Sequence, residues 1–247
     1  MRCLEELNHN AWPGIRSVVV DGWLVRFSDG YSRRGNSVLP LYPGSLPLDE
    51  RIARCEALLE REGLPPRFRI YPDTEPAELD AELERRGYVQ VSVSTLRVLE
   101  DLPAGPPGAA EGVRAAHSGQ ASEAWFGCFK GGRALDARQA AAARAIIARI
   151  VPERIFILLE AEDGPAACAL VVVEQGWAEI SSVVVRPDLR GRGLGRRVME
   201  HAHAEAAARG ARRAYLLVLD DNAVAGNLYR SMGYRVAYPS WFREKPS

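Results

Sequence analysis

A glycine-rich loop flanked by arginines is the segment of the sequence best suited to binding chemistry. Residues 190–196 read RGRGLGR, and they follow an apolar run that ends at Val185. A helix is predicted from Leu194 to Arg209, so the loop leads directly into a helix N-terminus. Glycine lets a backbone approach a ligand closely, and the first N–H groups of a helix lack partners within it. The segment therefore predicts an anion site, with phosphate as the expected occupant.

Two common phosphate-binding loops do not fit this segment. A dinucleotide-binding fingerprint needs GxGxxG directly after its strand, but here Arg196 stands where the third glycine belongs, and five residues separate Val185 from Gly191. A nucleotide-binding P-loop needs Gly-Lys followed by Ser or Thr, which the sequence lacks. The pattern that fits is Arg-x-x-Gly-x-Gly, preceded by a strand and by Arg-Pro-Asp at 186–188.

A second motif follows the next predicted strand. Residues 222–234 read NAVAGNLYRSMGY, which is Asn-x-x-Ala-x-x-Leu-Tyr-x-x-x-Gly-Tyr. Together with the glycine-rich loop, and in this order, it resembles motifs A and B of the GNAT superfamily of acetyl-CoA-dependent N-acetyltransferases. The resemblance covers residues 112–247 and implies the α/β fold and the activity of that superfamily.

The resemblance implies acetyl-CoA as the co-substrate, an amine as the acceptor and no metal. Backbone groups of the strand would hold the pantetheine arm as if it were an added strand, and the loop amides would take the pyrophosphate. Asn222 would hydrogen-bond near the pantetheine arm, unless it serves only as a helix N-cap. Four arginines would face the phosphates: Arg190, Arg192, Arg196 and Arg197. The alternative is that they only form a solvent-exposed helix start. The implied cofactor-binding residues are Val183, Val184, Val185, Arg190, Gly191, Arg192, Gly193, Leu194, Gly195, Arg196 and Asn222.

Tyr229 occupies the position of the family's general-acid tyrosine in the second motif. Attack of a neutral amine on a thioester releases a thiolate, which must be protonated to leave. A phenol titrates near pH 10 and a cysteine-like thiol near 8.5, so a tyrosine can donate a hydrogen bond to this thiolate without being ionised itself. The alternative is a helix residue that only packs its ring.

The general base has fewer signals in the sequence. In relatives that act on protein N-termini, a glutamate lies five residues before the asparagine of the second motif, but this chain has Leu217 there. Glu179, on the strand before the loop, is the predicted substitute, with a solvent-facing strand residue as the alternative. Asp220 or Asp221 would then orient the amine, and a water chain is a further route for the proton.

The elements of the second half follow from periodicity and turn residues. Three strands joined by tight turns predict an antiparallel meander, which is followed by helix, buried strand, helix and strand. The predicted elements are a strand at 112–117, helices at 121–129 and 136–150, strands at 154–162, 167–174 and 177–185, a helix at 194–209, a strand at 214–219, a helix at 223–232 and a strand or hairpin at 234–243.

The first half repeats part of this order. It predicts a hairpin at 17–28, strands at 36–42, 68–71 and 88–99, and helices at 48–62 and 75–86. Helices ending in Gly-Tyr at 87–88 and 233–234 precede a strand in both halves. The loop at 43–48 lacks the arginine and the alternate glycines, so this half should not bind acetyl-CoA in the usual way.

We therefore predict an α/β (α+β) protein of two tandem GNAT-like folds, each a mixed, mostly antiparallel sheet flanked by helices. Residues 1–100 form the degenerate domain, 101–111 a Pro- and Gly-rich linker and 112–247 the catalytic domain. The polar segment 29–36 is either a hairpin tip or an acceptor-binding loop that carries Arg33, Arg34 and Asn36.

Composition limits the partners and the compartment. The chain has 247 residues, 47% of them hydrophobic, and its 32 basic side chains balance 32 acidic ones. The zero net charge disfavours nucleic acid as a binding partner. This includes nucleic acid bound by the cluster of arginines between 190 and 213. No apolar run reaches a membrane-spanning length, and the acidic start differs from a secretory signal. The expectation is a cytoplasmic monomer or homodimer.

Isolated cysteines and histidines carry little functional signal. The four cysteines lie far apart, so neither a disulfide framework nor a CxxC pair is predicted. His201 and His203 are two apart on a helix, which turns them to different faces, and both are predicted to be exposed.

The favoured function is N-acetyl transfer to a primary amine of a small molecule or peptide in a ternary complex. The alternative is a non-catalytic acyl-CoA-sensing or protein-interaction module.

Overall fold

A computed structural model describes residues 1–103, 105 and 112–246, so most of the predicted linker lies outside the described residues. The chain forms two compact units. The first unit contains residues 1–95, 137–150 and 238–247. The second unit contains residues 96–136 and 151–237. None of the helices in the described ranges combines the length and the apolar character that a bilayer span requires.

The secondary structure follows the predicted order, except that it begins with a helix at Arg2–Ala11 that was not predicted. In the chain order of the described residues, the elements are α1 (Arg2–Ala11), β1 (Arg16–Val20), β2 (Trp23–Phe27), β3 (Val38–Pro40), α2 (Leu48–Arg61), β4 (Arg67–Ile70), α3 (Leu79–Arg85), β5 (Val89–Leu99), β6 (Arg114–Ser118), α4 (Glu123–Arg133), α5 (Ala137–Ala148), β7 (Glu153–Ala161), β8 (Gly164–Glu174), β9 (Trp177–Val185), a 3₁₀ turn (Pro187–Leu189), α6 (Leu194–Ala208), β10 (Arg213–Leu219), α7 (Ala223–Ser231) and β11 (Arg235–Glu244).

Strand β3 is shorter than the strand predicted at 36–42. The reason lies in Asn36, whose side-chain oxygen accepts hydrogen bonds from the backbone N–H groups of Ser28 (2.7 Å) and Gly30 (3.2 Å). Its amide nitrogen donates to the carbonyls of Tyr31 and Ser32. Asparagine side chains that bond the local backbone favour turns over ladders. Asn36 thus closes the 29–36 turn, as the hairpin-tip interpretation of this segment requires.

The second unit is built on a mixed, mostly antiparallel sheet. Strands β6, β7, β8 and β9 pair antiparallel in sequence order, and β10 pairs parallel to β9. Alternate residues of these strands pack with the apolar side of α6, including Val198 and Met199, in one buried cluster. Helix α4 packs on β8 and β9, and its Trp125 indole N–H donates to the carbonyl of Ala169 at 3.0 Å. The predicted fold class and the predicted meander are confirmed.

The first unit has the same kind of sheet. Strands β1, β2 and β3 pair antiparallel, β4 is parallel to β3, and β11 is antiparallel to β4. Its core contains Trp23, Ile52 and Phe68. The order strand, strand, helix, parallel strand, helix in β2-β3-α2-β4-α3 recurs in β8-β9-α6-β10-α7. The compact units are interleaved in sequence, because α5 and the last ten residues cluster with the first one. The division into domains at 1–100 and 112–247 stays a prediction.

Candidate active site

A gap between two parallel strands lies at the centre of the second unit. Strand β10 pairs with β9 only from Arg213 to Tyr215, opposite Trp177 to Glu179. Both strands continue beyond these pairs, to Leu219 and Val185. In the described part of the chain, the facing edges of β9 and β10 therefore carry no ladder bonds between them past Glu179. Unpaired strand edges of this kind can accept an extended ligand as an additional strand.

A β-bulge in β9 accompanies this separation. Cys168 pairs with Val184 and Leu170 with Ser181, so β9 has one residue more than β8 between these pairs. Ser182 within the bulge has φ of +54°, and its carbonyl accepts a hydrogen bond from the Cys168 thiol at 3.8 Å. A bulge bends its strand and increases the local twist. We attribute the divergence of β9 from β10 to this bend.

The bulge also changes which side chains face each side of the sheet. Val183 and Val185 pack against the cluster that contains α6, as Ala178 and Ile180 do before the bulge. Val184 faces α4 instead: a Cβ at Gly132 would approach its Cγ1 to 2.0 Å. Gly132 thus allows α4 to lie directly on β9. The three predicted residues 183–185 form the end of the strand that borders the gap.

The glycine-rich loop presents a row of free amides at the start of α6. Gly191 and Gly193 have φ of +76° and +79°, conformations that residues with a Cβ rarely adopt. Gly193 is the N-cap, and no side chain caps the helix. Within the described ranges, the backbone N–H groups of residues 191–196 have no hydrogen-bond acceptor. A helix start with free amides and a partial positive charge is a favourable anion site.

Neighbouring elements hold the loop in place. Gly195 faces the end of β9 and α7, and a Cβ there would lie 3.3 Å from the Leu228 side chain. Arg190 donates through Nε to the Val185 carbonyl at 3.4 Å, and Arg196 donates to the Ser231 hydroxyl at 2.6 Å. Arg190, Arg192 and Arg196 are all exposed. The loop therefore combines unpaired amides with solvent-exposed positive side chains.

Tyr229 extends from α7 into the buried cluster of the second unit. It is only 7% exposed, and its ring lies 5.9 Å from that of Tyr234. The described residues offer its hydroxyl no hydrogen-bond partner. Burial raises the pKa of Tyr229 to about 12, against a small opposing effect of Arg133. The phenol is therefore protonated at neutral pH, with a donor that is unused within the protein.

Asn222 caps α7, as one of the two interpretations of this residue predicts. Its Oδ1 accepts a hydrogen bond from the Ala225 N–H at 3.1 Å. Asn222 is exposed, as are Asp220 and Asp221 at the end of β10. The cap satisfies an orphan amide of the helix, and it leaves the side-chain NH₂ group available for a ligand.

Glu179 is buried rather than solvent-facing. It is 2% exposed and is the last residue of β9 that pairs with β10. The hydroxyl of Tyr215, its cross-strand partner, donates to its Oε2 at 3.3 Å. Alternation along the strands places Glu179 and Leu217 on the same face of the sheet, opposite α6. Glu179 thus lies on the same face of the sheet as Leu217, which stands where relatives that act on protein N-termini have a glutamate.

The prediction that both histidines of α6 are exposed is wrong for His203. His203 is 3% exposed and shares a 2.8 Å hydrogen bond with the Tyr234 hydroxyl. The turn of the helix points His203 inward, while His201 stays half-buried and bonds His117 at 3.2 Å.

All four cysteines are free thiols. Among the described residues, no three His, Cys, Asp or Glu side chains are grouped to hold a metal ion.

The burial of His203 makes stability depend on pH. Burial lowers the pKa of His203 to about 4, whereas an unfolded histidine titrates near 6.5. Between these values the unfolded chain binds more protons, so stability is lost as the pH falls from 6.5 towards 4. We expect this group to remove about 2 kcal/mol between pH 7 and pH 5. Urea unfolding of wild type and His203→Gln at both pH values checks this, and equal losses in the two proteins would contradict it.

The comparisons with known proteins agree with this geometry. Residues 1–240 match the family described as "Probable histone acetyltransferase Rv0428c C-terminal". The Bacillus subtilis protein named "Uncharacterized N-acetyltransferase YobR" is 24% identical over 236 residues, which cover 95% of this chain and 94% of that protein.

Solved structures share the fold along most of the chain. A GCN5-related N-acetyltransferase from Kribbella flavida matches with a TM-score of 0.75 at 19% identity, covering 100% of this chain and 95% of that one. A tandem GNAT protein from the clavulanic acid biosynthesis pathway matches with a TM-score of 0.64 at 16% identity, covering 85% and 76%. The chain is an acyltransferase that belongs to the GNAT N-acetyltransferases, in the family whose description is given above.

Proposed function

We propose that the second unit transfers an acetyl group from acetyl-CoA to a primary amine. The observation that carries this proposal is the unpaired edge of β9 beyond Glu179, which leads to the free amides of residues 191–196. An extended arm that ends in phosphates matches these two features in order. Acetyl-CoA supplies a thioester that the amine attacks, with the sulfur as leaving group.

The residues of the chain fit such a molecule. The edge of β9 at Val183 and Val185 offers backbone groups for amides, and the loop offers N–H donors and three exposed arginines for phosphate oxygens. Tyr229 holds a proton on an oxygen that has no partner within the described protein. Its role in the proposal is to donate that proton to the departing sulfur. Asn222 contributes its side-chain NH₂ group next to the arm.

Glu179 is the proposed acceptor of the amine proton. It lies where β9 and β10 begin to diverge, and its carboxylate is buried beside the Tyr215 hydroxyl. An alkyl ammonium titrates near pH 10, so the amine must lose a proton before or during attack. Asp220 and Asp221 are exposed at the far end of β10, and in this proposal their negative charge attracts a cationic acceptor.

We expect Glu179→Gln to lower kcat about 100-fold, because it removes a proton acceptor while it preserves side-chain shape. Steady-state kinetics at a fixed pH with saturating acetyl-CoA and amine measure the change in kcat. Tyr215→Phe is the matched control, since it removes the 3.3 Å hydrogen bond to the carboxylate but keeps the carboxylate itself. Turnover of Glu179→Gln within threefold of wild type would exclude Glu179 as the base.

We propose that only the second unit binds acetyl-CoA. In the first unit, the corresponding segment before α2 already holds an internal anion. The Asp21 carboxylate accepts from the N–H groups of Ser45 (3.0 Å) and Leu46 (2.9 Å), and it pairs with Arg51 at 3.2 Å. These hydrogen bonds lower the pKa of Asp21, so the group stays ionised. The degenerate first domain then has a structural role beside the catalytic one.

Incubation with acetyl-CoA and a panel of primary amines, followed by a free-thiol assay, tests the proposed activity. Release of thiol that depends on one class of amine supports N-acetyl transfer and identifies the acceptor. Measured acetyl-CoA binding without thiol release for any acceptor would favour a non-catalytic acyl-CoA-sensing module instead.

A further inference from the structure

A buried arginine in the first unit lacks a counter-ion. Arg26 lies on β2 and is 0% exposed. Its Nη2 donates to the Ser37 hydroxyl at 2.8 Å, but its Nε and Nη1 have no partner within the described ranges. A buried charge that has no partner destabilises a fold by several kcal/mol. The arrangement therefore calls for a negative group at this position.

The neighbouring carboxylate does not provide that group. Glu5, on α1, is fully buried, and Arg69 binds both of its oxygens at 2.7 and 2.9 Å. The Tyr238 hydroxyl donates to it at 3.1 Å and the Asn8 amide at 3.3 Å. The Glu5 oxygens are thus occupied by other donors. Their charge balances Arg69 and leaves that of Arg26 uncompensated.

Further positive charge surrounds Arg26. Burial lowers the pKa of Arg26 to about 9; the charges of Arg69 and Arg34 act in the same direction, and the nearby Glu5 carboxylate opposes them only in part. Arg26 remains cationic at neutral pH. Arg34 donates to the Asn8 side-chain oxygen at 2.6 Å and lies over the ring of Trp12, with its guanidinium carbon 5.3 Å from the ring centroid. Among the described residues, the guanidinium groups of Arg26, Arg34 and Arg69 thus lie near the Glu5 carboxylate.

His9 adds a second unused polar group. Its Nδ1 is buried and has no hydrogen-bond partner among the described residues. Burial and the charges of Arg26 and Arg34 lower the pKa of His9 to about 4, so the ring is neutral at pH 7. His9 and Arg34 are half-buried, and the cluster therefore reaches solvent at this end. The cluster therefore offers a buried cation and, beside it, side chains that contact solvent.

We propose that the first unit binds a small molecule through a single carboxylate, which pairs with Arg26. A carboxylate has two oxygens in one plane, which suit the planar N–H donors of a guanidinium. A tetrahedral phosphate dianion would bring more oxygens and a second charge into a position where Arg26 is fully buried, at a higher desolvation cost. This site belongs to the first unit alone and stands independently of acetyl transfer.

Acetate is the simplest probe of this site. Calorimetric titration of the full chain with sodium acetate, against sodium chloride and sodium phosphate at the same ionic strength, gives the dissociation constants. We expect acetate to bind and to raise Tm with concentration, since a ligand that binds only the folded state stabilises it. Chloride and phosphate should bind at least tenfold more weakly. No acetate binding by wild type would overturn the proposal.

Two arginine variants identify the anchor. Arg26→Met should weaken acetate binding at least tenfold, while Tm without acetate stays equal or rises because an unpaired charge is lost. Arg243→Met is the matched control: Arg243 is also buried in the first unit, but Asp80 pairs with it at 2.7 and 3.0 Å. It should lower Tm and keep the wild-type acetate affinity.

The opposite pattern would contradict the assignment of Arg26. Unchanged acetate affinity in Arg26→Met would place the acetate elsewhere. If that variant fails to fold, Arg26→Lys tests the same point, because lysine keeps the charge but lacks the planar array of donors. We expect Arg26→Lys to bind acetate more weakly than wild type, and equal affinity would overturn the role of Arg26.

Discussion

We expect Tyr229→Phe to lower kcat by at least about 100-fold while the dissociation constant for acetyl-CoA stays within about twofold. Removal of a positioned general acid typically costs about 10²- to 10⁴-fold in rate. The hydroxyl has no partner in the described protein, so phenylalanine keeps the ring packing without breaking an internal hydrogen bond. Steady-state kinetics and calorimetric binding of acetyl-CoA measure the two quantities.

The pH dependence gives this prediction a second readout. Because burial raises the pKa of Tyr229 to about 12, its hydroxyl stays protonated through pH 10. An acid with this pKa produces no alkaline loss of rate below pH 10, so any alkaline limb there belongs to another group. Folding stability should fall above pH 10, where an unfolded tyrosine ionises and the folded one does not.

Tyr234→Phe is the control for this experiment. Tyr234 is equally buried and lies beside Tyr229, but its hydroxyl is bonded to His203 at 2.8 Å. Its loss should reduce the free energy of unfolding by about 1 kcal/mol and leave kcat nearly unchanged. If Tyr229→Phe turns over as fast as Tyr234→Phe, then Tyr229 is not the acid.

The second large effect is expected at Gly193. A Gly193→Ala substitution should raise the dissociation constant for acetyl-CoA at least tenfold. The φ of +79° is unfavourable for any residue with a Cβ, by about 1–2 kcal/mol. The loop can relieve this strain only by rotating the peptides that carry the free amides of residues 191–196. Calorimetric titration with acetyl-CoA measures the change.

Gly210→Ala separates strain from binding. Gly210 follows the opposite end of α6, has φ of +83° and, like Gly193, has open space where a Cβ would stand. Both variants should therefore lower Tm by similar amounts, but only Gly193→Ala should lose affinity. A loss of affinity in both, or in neither, would argue against the loop as the phosphate site.

The sequence predicts those parts of the site that depend on neighbours along the chain. The order of elements from β1 onward follows from apolar periodicity and from Gly and Pro at the ends of the elements, whose bounds shift by a few residues, whereas helix α1 was not predicted. The loop at 190–196 and the motif at 222–234 are local patterns, and both lie at helix starts as predicted. Asn222 acts as an N-cap because its own position before α7 determines that role.

Features that depend on residues far apart in the sequence were harder to predict from it. The bulge at Ser182 follows from the pairing of β9 with β8, and two adjacent serines carry no signal for it. The Gly-Gly pair at the end of α4 could have indicated close packing from the sequence. In the structure, Gly132 packs against Val184. His203 was predicted to be exposed, but the helix turns it towards Tyr234.

The sequence by itself determined the family, the order of the strands and helices, and the two helix starts where a cofactor and a reacting group would meet. Tertiary structure alone decided that pairing of β9 with β10 ends after Glu179, that the Asp21 carboxylate accepts the Ser45 N–H, and that the described residues give the buried Arg26 no counter-ion. The difference has a physical reason. Caps, turns and periodicity involve groups a few residues apart, whereas register, burial and charge compensation depend on groups that only the folded chain brings together.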